Sequence, residues 1–400
     1  MTNTCNKCGL KNWHIGNVGK LPIHNGVCQI CEDSKKIFKI QDQKNRKLLD
    51  DYFQNLRNEY KYDCIVLFTG GRDSSYSLLK LKELYDLNIL ALTWDNGFFS
   101  VQQKKQMENL VNYLDIDHLY INTDWNIVKE IYRNRLFHLG RFCNCVPLAF
   151  MFAAPIISKN IAPAIVFSTS ISQTINVIIR EMGENRSEDE YNSQLLKRGI
   201  SNIGNIAAEM YEILCVDLLV GEYSDVAIEE IKKAFLSLKQ LRNNTNINLI
   251  TPSVFLPWNE KEIISSLRSA GWKDRKANES YLHSSCLAEG VKSYLSYMQK
   301  QINMDVLEIA NLYRNNIISF REMNKLLQKS NYCEERPLFW NEFLKKLNIT
   351  ETEIEKIIFE QKGICPQISV NKRMAAILEI DEKDYIDTYV KSIVASRILI

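Results

Sequence analysis

The chain has 400 residues, with 50 Lys and Arg against 48 Asp and Glu and a formal net charge of +2. That length allows a large core and more than one domain. The balanced charge excludes a chain built mainly to hold a polyanion, while a tRNA partner stays open, since a local basic patch can hide in a neutral sum. The longest apolar run, Val146 to Ile157, carries two prolines and is too short to span a bilayer, so no membrane partner is expected. The N-terminus is polar and does not read as a signal peptide. Eleven cysteines without such a leader fit a reducing cytoplasm, where cysteines more often bind metal or do chemistry than pair as disulfides.

In chain order, residues 1–32 hold Cys5-x-x-Cys8 and Cys28-x-x-Cys31, with 19 residues between the pairs. Two knuckles at that spacing predict a zinc ribbon, and four thiolates make a closed, structural site. His14 and His24 are alternative ligands, and four unligated thiols are the plainer reading. Residues 33–60 are charged with helical periodicity and form a linker helix. Residues 61–250 form the main domain, whose first half alternates strands (63–68, 88–93, 117–121, 163–168) with helices (near 74–86, 100–114, 124–137, 146–159). This pattern predicts an α/β fold with a doubly wound parallel sheet. Ligands in such sheets lie beyond the carboxyl ends of the strands.

Four loop tips therefore matter. The first is Thr69-Gly70-Gly71-Arg72-Asp73-Ser74, between an apolar run (Ile65 to Phe68) and a leucine-spaced helix. Two glycines release the backbone, and the helix start presents N–H groups and a positive dipole end to a phosphate. The second tip is Thr93-Trp94-Asp95-Asn96-Gly97, which reads either as a nucleotide loop, with Asp95 and Asn96 on ribose or metal, or as a tight Asn-Gly turn. The third is Asn122-Thr123-Asp124 and the fourth Ser168-Thr169-Ser170. Residues 181–250 read as mostly helical, and the acidic start from Glu181 to Tyr191 is either a lid or a plain solvated loop. Residues 251–400 read as a mostly helical region that completes the substrate site.

Gly140-Arg141-Phe142-Cys143-Asn144-Cys145 precedes the helix into the fourth strand. A cysteine that opens a helix has a lowered thiol pKa, so Cys145 is a candidate nucleophile. Cys286 lies far off in sequence, beside His283. The plainer reading is that Cys145 and Cys286 pack as small apolar groups or help shape a pocket. Cys64, Cys215, Cys333 and Cys365 read as core.

The first tip fits neither the Walker nor the dinucleotide pattern. It resembles the Ser-Gly-Gly-x-Asp-Ser loop of the PP-loop ATP pyrophosphatases, with Thr69 in place of Ser. The order of ribbon, loop, second tip, Cys-x-Cys, Gly271-Trp272-Lys273-Asp274 and Ser319-Phe320-Arg321-Glu322 is similar to that of the N-acetyl sugar amidotransferases, to about residue 350. This resemblance implies the HUP-type fold, ATP and Mg2+. It implies that Thr69, Gly70, Gly71, Asp73 and Ser74 hold phosphates, that Leu92, Asp95 and Thr169 lie by the nucleotide, and that Arg72 and Asp73 are catalytic. It also implies a small acetamido-sugar or other carbonyl acceptor, adenylated with loss of pyrophosphate, and ammonia from a partner glutaminase. In thiolating members of the superfamily, three cysteines hold an iron–sulfur cluster or two carry a persulfide. A sulfur-transferring ligase using Cys143, Cys145 and Cys286, fed by a sulfur-donor protein, is therefore the alternative reading. A non-catalytic ATP-binding regulator is the third. The chain departs from the family at Ser168-Thr169-Ser170 and across His283 to Cys286, where the sugar substrate should sit.

Overall fold

The computed structural model describes residues 4–10, 23–29, 31–32, 43–56, 59–171, 173–174, 178, 187–273, 286–299, 309–310, 312–314, 318–329, 335–360 and 371–380. His14, Asp274, His283, Cys333, Cys365 and most of the Glu181 to Tyr191 loop lie outside the described residues.

The molecule is an α/β structure around a six-stranded, mostly parallel sheet. A small antiparallel hairpin, β1 (Ile23–His24) and β2 (Val27–Cys28), comes first. Helix α1 (Gln43–Gln54) leads to β3 (Cys64–Leu67), α2 (Arg72–Tyr85), β4 (Ile89–Trp94), α3 (Val101–Tyr113), β5 (Asp117–Ile121), α4 (Trp125–Leu139), α5 (Cys145–Ile157) and β6 (Ala164–Val166). Next come α6 (Glu188–Gly199), β7 (Ile200–Asn202), α7 (Ile203–Leu218), α8 (Asp225–Leu241) and β8 (Asn248–Ile250). The labelled helices after that are α9 (Glu260–Ser269), α10 (Glu289–Met298), α11 (Phe320–Lys329), α12 (Trp340–Leu347), α13 (Glu351–Glu360) and α14 (Lys372–Leu378).

The strands run in the order β5-β4-β3-β6-β8-β7, all parallel except the β7–β8 pair. The chain reverses its direction of travel across the sheet between β3 and β6. The loops after these two strands therefore flank the crevice that such sheets leave open for ligands. Side chains alternate across the sheet. Ile65, Leu90 and Leu92 face one core, with α4, α5, α7 and α8, while Cys64, Val66, Ile89 and Ala91 face the other, with α2, α3 and α9. Burial on both faces explains why β3 and β4 read as unbroken apolar runs.

The four expected strands and their helices are present, with ends that match or shift by at most two residues. The described residues of 181–250 are mostly helical, as expected, with two short strands besides. β7 and β8 lie in that span, and β8 carries the sheet one strand beyond β6. Each has three residues, too few to display a two-residue period against helical neighbours. The C-terminal helices share the main core. Phe343 of α12 is fully buried, 4.7 Å from the Phe142 ring and 5.9 Å from the Phe98 ring, centroid to centroid. Among the described residues, no helix is long and apolar enough to cross a membrane.

The packing of Phe343 predicts that Phe343→Ala destabilises the whole fold by about 3–5 kcal/mol. A single cooperative transition at a lower midpoint in denaturant titration checks it. A separate early transition confined to the C-terminal helices would contradict the shared core.

Candidate functional site

The phosphate-type loop is built by local necessity. β3 ends at Leu67, and Phe68 N–H still donates to Leu92 C=O at 2.8 Å. Gly70 then takes φ +68°, and a Cβ there would lie 2.4 Å from Met107 Cγ and 2.6 Å from Gln103 Nε2. Glycine is thus required twice, for the backbone angle and for the close approach of α3. Gln103 Nε2 donates to Thr69 C=O at 3.0 Å and clamps the loop from that side. Thr69 Oγ1 and Ser74 Oγ lie 3.2 Å apart, and Ser74 Oγ donates to Gly71 C=O at 3.3 Å. Gly71 is the N-cap of α2, and no side chain caps it. A helix start without a side-chain cap is suited to an anion such as phosphate.

Asp73 and Arg72 open α2. Asp73 Oδ1 accepts from Trp258 Nε1 at 2.8 Å, so the segment Phe255 to Trp258 reaches back to orient this carboxylate. No local signal marks that pairing, because the partners stand 185 positions apart. Across the crevice, Ser168 Oγ donates to Ser77 Oγ at 2.8 Å, and Thr169 Oγ1 lies 2.9 Å from Thr174 Oγ1. The fourth tip therefore meets α2 just beyond the first tip.

The second tip divides its duties. Leu92 is 2 % exposed, and its carbonyl is taken by Phe68 N–H, so the structure places it in the core rather than at a ligand surface. Asp95 faces the α3 side. Its Oδ1 accepts from Gly97 N–H at 2.9 Å and its Oδ2 pairs with the Lys104 ammonium. Asn96 is buried and faces the other way, toward the half-buried Cys145 and Cys286.

Three cysteines converge there. Cys143 Sγ and Cys145 Sγ are 3.5 Å apart, and Asn96 Nδ2 lies 3.6 Å from Cys145 Sγ and 3.8 Å from Cys286 Sγ. Leu287 N–H donates to Phe98 C=O at 3.0 Å, which ties Cys286 to the second tip. A sulfhydryl bond from Cys145 holds the Cys143 thiol down to about 6, while Cys145 itself is pushed well up. Burial pushes Cys286 up to about 12. The two sulfurs share one hydrogen bond, so the pair as a whole gives up a first proton more readily than an isolated buried thiol.

A buried ion pair holds the loop that carries Cys143 and Cys145. Arg135 and Asp217 are 0 % and 1 % exposed at their side chains and form a salt bridge. Arg135 Nε donates to Phe142 C=O and Nη2 to Cys143 C=O, each at 3.1 Å, and Asn144 Nδ2 donates to Asp217 Oδ2. Sequence reasoning missed both residues, because a charge inside a helix pattern looks like any solvated charge.

The ribbon stands apart from this crevice in its chemistry. Cys5, Cys8, Cys28 and Cys31 are all buried, with sulfurs within 4.8 Å of one another. Asn25 and Gly26 take φ +50° and +79°, which closes the β1–β2 turn and brings Cys28 beneath Cys5. Cys28 N–H donates to Cys5 Sγ at 3.2 Å. Four soft thiolates at this spacing fit a tetrahedral zinc ion, and His24 does not belong to the set. Ala310 and Tyr313 pack against the ribbon, so it docks on its own chain. Among the described residues no other cysteine, histidine or carboxylate group is so tightly gathered, the Cys143–Cys145–Cys286 trio included.

No family model matches the chain. An uncharacterized protein of Methanocaldococcus jannaschii is 31% identical over 120 residues, which is 29% of this chain and 43% of that one. The chain thus spans less than half the length of that curated relative. Three solved structures share the general shape weakly. The U34-tRNA thiolase NcsA from Methanococcus maripaludis, with its [4Fe-4S] cluster, has 14% identity and a TM-score of 0.33, covering 82% of this chain and 89% of that chain. NMN synthetase from Francisella tularensis has 12% identity and a TM-score of 0.25, covering 70% and 93%. The NH3-dependent NAD synthetase from Campylobacter jejuni has 13% identity and a TM-score of 0.24, covering 52% and 99%. At such scores the likeness does not identify an activity.

Two outcomes follow from this geometry. Elemental analysis should find one zinc per chain, and Cys8→Ser or Cys28→Ser should lose it while MgATP binding, read by thermal shift, persists. Asp217→Ala should cost about 3–5 kcal/mol in chemical denaturation, because it strands a buried guanidinium.

Proposed function

We propose that the protein is an ATP-dependent, AMP- and pyrophosphate-forming transferase that moves sulfur onto a carbonyl or amide carbon. The observation that carries this reading is the gathering of Cys143, Cys145 and Cys286 at Asn96, one residue beyond Asp95 on the tip beside the phosphate-type loop.

The reaction divides in two. The acceptor oxygen attacks the α-phosphorus of ATP, the bond to the bridging oxygen breaks, and pyrophosphate leaves. The N–H groups at the start of α2 and its positive dipole end oppose the charge that builds on the departing pyrophosphate. Thr69 and Ser74 supply hydroxyls to the phosphates. Mg2+ fits beside Asp73, whose Oδ1 is held by Trp258 while phosphate oxygens complete the shell. Bound there, the ion would neutralise phosphate charge. Asp95 is the poorer candidate, since both of its oxygens are engaged within its own loop and by Lys104.

In the second half, sulfur enters as a persulfide on Cys145, supplied by a sulfur-donor protein. The terminal sulfur attacks the adenylated carbon, the carbon–oxygen bond breaks, and AMP leaves. The Cys143 thiolate, 3.5 Å away, then attacks the Cys145 sulfur. The sulfur–sulfur bond to the product breaks, a thiocarbonyl departs, and a Cys143–Cys145 disulfide remains. An external dithiol reduces it. Cys143 Sγ and Cys145 Sγ lie close enough for a disulfide to form between them with little movement.

Amidation is the second reading, favoured by the order of motifs from ribbon to Ser319-Phe320-Arg321-Glu322. In it, ammonia from a partner glutaminase displaces AMP from an adenylated acetamido sugar, and the thiols only shape the pocket.

The test is pyrophosphate release from MgATP with bulk tRNA or nucleotide-linked acetamido sugars, in the presence of polysulfide or ammonium. Asp73→Ala should lower release about 10²- to 10³-fold under every condition. Cys145→Ala should abolish the polysulfide-dependent product. Full activity of Cys145→Ala with ammonium and a sugar would replace sulfur transfer by amidation. Iron and acid-labile sulfide in protein purified without oxygen, lost in Cys286→Ala, would put a cluster on these residues instead of a persulfide.

A further inference from the structure

Asn96 belongs to the second tip by sequence but to the thiol pocket by structure. Its side-chain oxygen accepts Phe98 N–H at 2.8 Å. That bond settles which end of the carboxamide is which, so the nitrogen faces the sulfurs. An amide nitrogen carries two protons, one for Cys145 Sγ and one for Cys286 Sγ. The backbone around it is fixed as well. Asn96 C=O accepts the buried Tyr132 hydroxyl at 3.2 Å, and the residue is 5 % exposed. An asparagine needed only for an Asn-Gly turn would use its oxygen and leave its nitrogen to solvent.

We propose that Asn96 is a positioning residue for the thiol centre. It holds Cys145 and Cys286, 141 positions apart in the chain, on the two protons of one amide. A hydrogen bond to an ionised acceptor is about twice as strong as one to a neutral group, so the same amide favours whichever sulfur carries negative charge during transfer. Asp95 and Asn96 then divide the tip. Asp95 serves the α3 and nucleotide side and Asn96 the sulfur side, and one short loop registers the two half-reactions. This assignment rests on the sulfur-transfer reading for its purpose but not for its geometry.

The experiment uses the whole chain and a short thiol-bridging reagent, dibromobimane, with peptide mass spectrometry of the bridged pairs. Wild type should give both Cys143–Cys145 and Cys145–Cys286 bridges. Asn96→Ala should lower the Cys145–Cys286 bridge at least tenfold and leave the Cys143–Cys145 bridge, which does not depend on Asn96. Asn96→Asp keeps the oxygen that accepts Phe98 N–H but removes the donors, so it separates loss of the donors from collapse of the turn. It should lose the Cys145–Cys286 bridge to the same degree while its melting shift with MgATP stays at the wild-type value. An undiminished Cys145–Cys286 bridge in Asn96→Asp overturns the assignment. Cyanide-labile sulfur after polysulfide loading is read on the same proteins. Its absence in wild type with the bridge pattern intact would remove the sulfur-transfer reading and leave the positioning role standing.

Discussion

A guanidinium sealed from water must have its donors matched, and that requirement organises the interior of this protein. Arg135 is fully buried, and burial lowers its pKa to about 9. Asp217 and two backbone carbonyls match its donors. Those carbonyls belong to Phe142 and Cys143. The matching of one cation therefore dictates the path of the chain into α5, and with it where Cys143 and Cys145 point. Asn144 closes the arrangement on the other carboxylate oxygen. An apolar replacement of similar volume could fill the space, but it would not fix the turn.

The site is assembled from parts with different mechanical standing. The phosphate-type loop is held partly by its own bonds, between Thr69, Gly71 and Ser74, and partly by α3, whose Gln103 donates to Thr69 C=O. The thiol pocket is rigid by tertiary rule. Cys286 reaches it through Leu287 N–H on Phe98 C=O, and Phe98 lies against Phe142 and Phe343. The C-terminal helices thus hold the pocket shut from behind. Asp73 shows the same dependence, since its carboxylate is oriented by Trp258 from beyond the sheet.

The zinc-ribbon geometry is a separate stabilising unit. A hairpin of two-residue strands cannot bury enough apolar surface to stand alone, and a metal held by the four thiolates would supply what it lacks. Its contact with Ala310 and Tyr313 passes that order to the C-terminal half. The ribbon is thereby joined to the later helical segment rather than left as an independent module.

The sequence by itself determined what depends on neighbours along the chain. Apolar runs marked β3 and β4, glycines marked the turn after β3, and the paired Cys-x-x-Cys knuckles marked the ribbon, because strand burial, backbone freedom and ligand spacing are local properties. Three-residue strands such as β7 and β8 escaped, since so short a segment has no period to read. Tertiary structure alone decided that Asn96 faces thiols while Asp95 faces Lys104, that Leu92 lies in the core, and that Arg135 and Asp217 pair inside. Each of these depends on which residue from a distant segment supplies a proton, a charge or a wall. A sequence carries no distances between residues that the chain brings together only by folding.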